Sequence, residues 1–133
     1  LLGDRDLRLD LALENLPEEL AGILADDAVF ESPVVHTPQV GKAIVEKYLR
    51  GALQVLNTEH FRYGGEWYAQ NSAVLEFFSE IDGITINGVD IITWNDAGLI
   101  THFKVMVRPF KALQALIPLM ARELESHRPG PAA

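Results

Sequence analysis

The spacing of apolar residues changes several times along the 133-residue chain, and each change marks an element. Near the start, Leu7, Leu9, Leu11, Ala12 and Leu16 lie among charged residues and predict a short N-terminal helix over 1–16. Pro17 opens a second helix, since the first helical turn needs no N–H from that position. Leu20, Ile23 and Leu24 form its apolar face, and Asp26-Asp27 ends it. Ala28–Ser32 predicts a strand, stopped by Pro33, and 34–40 an ordered loop. Beyond Gly41, the residues Ile44, Val45, Tyr48, Leu49, Ala52, Leu53 and Leu56 recur at three- and four-residue spacing, the mark of an amphipathic helix.

From Asn57 the period falls to two. Phe61, Tyr63, Trp67 and Ala69 alternate with polar residues around Gly64-Gly65, which predicts a bulge or bend. Ala73–Ile81 places Leu75, Phe77 and Ile81 on one face and Val74, Glu76, Phe78 and Glu80 on the other. Asp82-Gly83 predicts a tight hairpin, Ile84–Trp94 a strand, Asn95–Gly98 a second turn and Leu99–Val107 a last strand. Pro109 begins a closing helix whose buried side is Phe110, Leu113, Leu116, Ile117, Met120 and Leu124. Pro118 is expected to kink or split it, because the Gln114 carbonyl loses its partner. The tail over 128–133, rich in proline, is expected to be disordered. This order predicts one α+β domain over 1–133. Its curved mixed or antiparallel sheet and its N-terminal helices form a cone around one apolar pocket.

Composition narrows the function. The net charge of −8 disfavours nucleic acid and anionic membrane surfaces, whose binding depends on Lys and Arg. There is no cysteine, so disulfides, thiolate catalysis and sulfur-ligated zinc are excluded, and a cytoplasmic location is expected. The start, Leu1–Asp10, is charged and shows no signal-peptide pattern, and no apolar run has the length to span a bilayer.

Asp90 is the leading candidate for chemistry. Strand alternation puts it on one face with Ile92 and Trp94, and a carboxyl on an apolar face is costly unless paired or protonated. Its other reading is a strand-end Asp bonded to backbone or water. His36, in the loop after the first strand, and Tyr48, on the amphipathic helix, are candidate assistants in acid–base work. The bland alternatives are an exposed loop histidine and an edge tyrosine. Phe30, Tyr63, Trp67, Leu75, Phe77, Ile92, Trp94 and Phe103 either line a pocket or fill it. His36, His60, His102 and His127 show no metal-ligand spacing, so neither a metal nor another cofactor is expected. The outward sheet face carries Val74, Glu76, Phe78, His102, Lys104 and Met106. It is apolar enough to predict a homodimer through that face, the alternative being cover by the C-terminal helix.

Two stretches carry a family likeness. Leu24-Ala25-Asp26-Asp27-Ala28-Val29-Phe30-Glu31-Ser32-Pro33, followed by Gly41 and its helix, resembles the nuclear transport factor 2-like superfamily, above all its SnoaL-like and ketosteroid-isomerase-like branches. Gly88-Val89-Asp90-Ile91-Ile92-Thr93-Trp94 with the following turn and strand agrees, so the likeness spans roughly 17–107. It implies that Ser32 stands where ketosteroid isomerases carry the catalytic base, and that Asp90 matches the carboxylic acid held neutral to donate to the enolate oxygen. No tyrosine precedes Tyr48, so the first-helix oxyanion tyrosine is missing. Gly88 stands where the epoxide-hydrolase branch needs arginine. Standard steroid isomerisation and epoxide hydrolysis are therefore not expected. What the likeness implies is a protein that takes a steroid- or polyketide-like apolar molecule, with Ser32 among the ligand-binding positions. Isomerase-, cyclase- or lyase-like acid–base chemistry through Asp90 is one outcome. The alternative is a non-catalytic binding or dimerisation module.

Overall fold

The computed structural model describes residues 16–126. Helix α1 (Leu16–Ile23) runs straight into strand β1 (Leu24–Glu31). The helix thus ends before Asp26-Asp27, the breaker expected from sequence. Leu24 and Ala25 are buried as strand residues, and the two exposed aspartates sit in an irregularity of register between Leu24 and Val29. The loop after β1 contains a two-residue strand, β2 (Gln39–Val40), paired antiparallel with Val29 and Phe30. Helix α2 (Lys42–Leu56) follows Gly41, whose φ of 111° is a conformation that side chains resist.

Strands β3 (Arg62–Tyr68), β4 (Ser72–Ile81), β5 (Ile84–Trp94) and β6 (Ile100–Arg108) form an antiparallel run. The sheet order is β2-β1-β6-β5-β4-β3, and β1 joins β6 in parallel. The β4–β5 hairpin turns at Asp82 and Gly83, with φ of 52° and 78°, as the two central residues of such a turn require. At the β5–β6 turn the Asn95 side chain accepts hydrogen bonds from the N–H groups of Ala97 and Leu99, both at 3.0 Å. Register breaks in the β1–β6, β3–β4 and β5–β6 ladders add to the sheet's curvature. The result is a mixed, curved, unclosed α+β sheet.

Helix α3 (Phe110–Ser126) closes the molecule on the same side of the sheet as α2. The core is the concave face: Phe30, Phe77, Ile86, Ile92 and Phe103 from strands, Leu20 from α1, Val45 and Leu49 from α2, and Ala112 and Leu116 from α3. One expectation for α3 is corrected. Phe110 and Ile117 are exposed, 72% and 50%, because the stripe facing inward is set by Ala112 and Leu116, and both residues lie well round the helix from it. Of the two outcomes expected at Pro118, a kink or a split, the split does not occur: the helix is unbroken through this exposed residue. The expected helix over 1–16 and tail over 128–133 lie outside the described residues, apart from Leu16 at the start of α1.

Candidate ligand pocket

Strand alternation delivers the site. Asp90 lies on β5 between Leu75 of β4 and Val105 of β6, and all three are buried. Asp90 is 8% exposed, and among the described residues its carboxyl has no hydrogen-bond partner. Burial in apolar surroundings pushes that carboxyl up to about 7. It borders a small cavity of about 60 Å³. Phe30, Phe77 and Phe103 form strand walls, with Val105 and Val107 beside them. Leu49, Ala52, Leu53 and Leu56 of α2 close one side, and Leu116 and Met120 of α3 another. Phe61 stacks on Phe77 with ring centroids 5.9 Å apart, and Phe30 meets Phe103 at 6.2 Å. One buried acid in an aromatic and aliphatic enclosure suits an apolar molecule with a single polar end.

Ser32 lies at the rim with Pro33 and Val34. Its hydroxyl accepts hydrogen bonds from the N–H groups of Val34 (3.1 Å) and Val35 (3.2 Å), so it serves the turn that ends β1. Gly88 is buried on the same strand face as Asp90, directly opposite Phe77 and Val107. A side chain there would collide with the Phe77 ring and with the Met106 carbonyl at 2.6 Å. The position where an arginine relay would sit is thus filled by an aromatic ring.

The other expected residues divide. Leu75, Ile92 and Trp94 are buried core beyond the cavity and do not line it. Tyr48 is half-buried and rests against Phe30, ring centroids 5.7 Å apart, also off the lining. Tyr63 is half-buried and packs edge-on against Phe61 at 5.1 Å. Burial first, then the Asp90 and Glu66 charges, push its phenol above the ordinary range. His36 is exposed and lines not the Asp90 cavity but an open groove of about 520 Å³ between residues 31–36 and Lys104–Val107. That groove is larger than the Asp90 cavity, but it is open to solvent and has no buried polar group of its own.

Trp67 is a correction: it is 58% exposed and lies across from Val74 on the outer face. The break in register between Tyr63 and Glu66 adds a residue to β3 and reverses which side chains point inward. Sequence reading missed Phe61, Leu49, Leu53, Leu56, Val105, Val107, Leu116 and Met120 as lining residues. The α2 periodicity and the β6 alternation placed most of them on inner faces; only the depth of each in the cone was absent from the pattern. Among the described residues no group of His, Asp and Glu could hold a metal ion.

A curved, unclosed sheet with helices packed in its concavity is the arrangement of the cystatin-like class of α+β folds. Neither protein-family models nor curated proteins match the sequence. Solved structures do. The chain is 34% identical to a steroid delta-isomerase from Pseudomonas aeruginosa, over 94% of this chain and 92% of that one, with a TM-score of 0.84. It is 31% identical to an uncharacterized protein with a cystatin-like fold from Silicibacter pomeroyi DSS-3, over 84% and 79%, with a TM-score of 0.76. An NTF2-like protein of unknown function from Mesorhizobium loti shares the fold at 19% identity, over 80% and 90%, TM-score 0.65. The chain belongs to the nuclear transport factor 2-like superfamily, among its ketosteroid-isomerase-like members.

Proposed function

We propose that this protein binds a small apolar, steroid- or polyketide-like molecule in the conical pocket and holds its oxygen end with Asp90. The observation that carries this is a buried carboxyl with no hydrogen-bond partner among the described residues, bordering an apolar cavity. With its pKa near 7, Asp90 is protonated in a large fraction of molecules at neutral pH and donates a hydrogen bond to a carbonyl or ether oxygen. Among the described residues that line the pocket Asp90 is the one titratable group, since Ser32 is neutral and bonded to its own turn. Turnover, if a substrate is found, is therefore of the cyclase type: the substrate brings its own hydroxyl nucleophile, which attacks the carbon bonded to the oxygen that Asp90 protonates, and the hydroxyl's proton replaces the one Asp90 gave. Abstraction of an α-proton, as in steroid isomerisation, lacks its base at Ser32.

A thermal-shift series with steroids, polyketide-like aromatics and fatty acids tests the reading. Oxygen-bearing ring compounds should stabilise the wild type, and Asp90→Leu should weaken their binding by tenfold or more. No stabilisation by any of them would sink it. A second reading, a binding module without catalysis, is favoured by Asp90 having no acid–base partner among the described lining residues; ligand recovered unchanged after prolonged incubation would support it.

We also propose a homodimer through the outer sheet face. Val74, Phe78, Val89 and Ile91 are only half-buried there, Met106 is 50% exposed, and α3 lies on the opposite, concave side. Among the described residues no helix is long and apolar enough to cross a membrane. With a cysteine-free chain, this supports a cytoplasmic location.

A further inference from the structure

The cavity beside Asp90 measures about 60 Å³. An apolar cavity of roughly 150 Å³ holds one benzene ring, and sites for drug-sized molecules run to roughly 300–1,000 Å³. The enclosure therefore takes the slender end of a molecule and not its body. Room for a body lies beside it, in the open groove of about 520 Å³.

Cavity and groove share a dividing wall: Ser32, Pro33 and Val34 on one side, Val105 and Val107 on the other. The wall falls where the sheet stops being laddered. The parallel pairing of β1 with β6 ends at Glu31 and Lys104, while β6 runs on to Arg108. Pro33 has no N–H to offer a ladder. The N–H groups of Val34 and Val35 turn to the Ser32 hydroxyl instead. Among the described residues no backbone hydrogen bond joins 32–36 to 105–107. Consecutive strand side chains point to opposite faces, yet Lys104, Val105, Met106 and Val107 all border the groove. The groove therefore runs along the edge of β6 rather than over one face, and it reaches the same inward residues that line the cavity. Val34, Val35 and Met106 leave apolar surface exposed along it. In the sheet only β6 lies between this seam and Asp90, which sits directly opposite Val105. The span is one to two strand spacings, roughly 5–10 Å.

We propose that the groove is the outer half of the ligand site and that ligand enters through the seam. A slender oxygen-bearing arm reaches Asp90, and the apolar body of the molecule, ring or chain, lies in the groove between residues 32–36 and β6. That the arm ends on Asp90 rests on the function proposed above; that the groove holds the body does not.

Straight-chain methyl ketones of two lengths test this. 2-Pentanone suits the cavity alone, whereas the nonyl tail of 2-undecanone reaches past the seam. In the wild type, titration with 2-undecanone should shift the amide resonances of Val35, His36 and Met106. Titration with 2-pentanone should leave those signals in place. A buried CH₂ contributes a factor of about three to four in affinity, so 2-undecanone should bind at least tenfold more tightly. Val35→Asp, at an exposed position, should cut that advantage below threefold; an undiminished advantage counts against the groove. If bound 2-undecanone shifts Leu53, Leu56 and Met120 but none of the groove residues, its tail leaves between the helices and the groove is overturned. If the groove signals shift but Asp90→Leu binds both ketones as tightly as the wild type, the groove stands and the reading of Asp90 falls. Binding of neither ketone overturns both.

Discussion

At the scale of single residues, Asp90 sets a pH dependence. Its pKa rises from 3.8 to about 7 on folding because burial penalises the charged form. The native state therefore binds the proton more tightly than the unfolded chain. Stability from this group is greatest below about pH 4, falls as pH rises through the interval, and the full cost is present above pH 7, at most about 4 kcal/mol. Asp90→Asn should be more stable than wild type at pH 8 and no more stable at pH 4, as urea midpoints at the two pH values would show. A gap that does not change with pH would mean that the carboxyl is not the source. Gly88 yields a second expectation. Gly88→Ala must displace the Phe77 ring or the Met106 backbone, and should cost about 1–3 kcal/mol, read as a lowered Tm. Ser32→Ala removes the acceptor for two loop N–H groups; it should cost about 1 kcal/mol and leave ligand affinity unchanged, since the hydroxyl serves the turn.

At the scale of elements, α3 offers the cleanest prediction. Pro118→Ala restores an N–H opposite the Gln114 carbonyl on an exposed face. It should raise stability by about 1–3 kcal/mol, read as a raised urea midpoint. Elements also show where sequence reading works. Strand β5 was legible to the residue because strict alternation, an Asp-Gly turn before it and an Asn-Asp-Ala-Gly turn after it all agree. Asp90 followed at once as an inward carboxyl. Trp67 was misplaced because a bulge shifts phase by one residue, and Gly64-Gly65 announces a bulge without saying how many residues it adds. Phe110 and Ile117 were misplaced because α3 is apolar on more than one face, and hydrophobicity alone does not select which face docks. Tyr48 and His36 had suitable chemistry, yet whether a side chain reaches a pocket depends on curvature and depth, which no local pattern records.

At the scale of the whole molecule, the proposed homodimer is tested on the outer face. Ile91→Lys should leave the Tm within a few degrees and convert a dimer to a monomer in sedimentation; a monomeric wild type would remove the proposed interface. On that face Glu31 on β1 meets His102 on β6 at 2.6 Å, with Lys104 at 3.7 Å from the same carboxylate oxygen. Charges therefore lie beside the apolar stripe and fix how two copies would register. The two margins of the sheet have a further consequence. One margin is β2, two residues long. The other is β3, broken by its bulge, with the Trp67 ring folded over Gly65 and the Arg62 guanidinium 4.2 Å from the Phe78 ring centroid. Neither offers a long flat row of free backbone groups to an incoming strand. Growth strand by strand into a filament is thereby discouraged, which leaves the faces of the sheet for the proposed pair, an arrangement that closes at two copies.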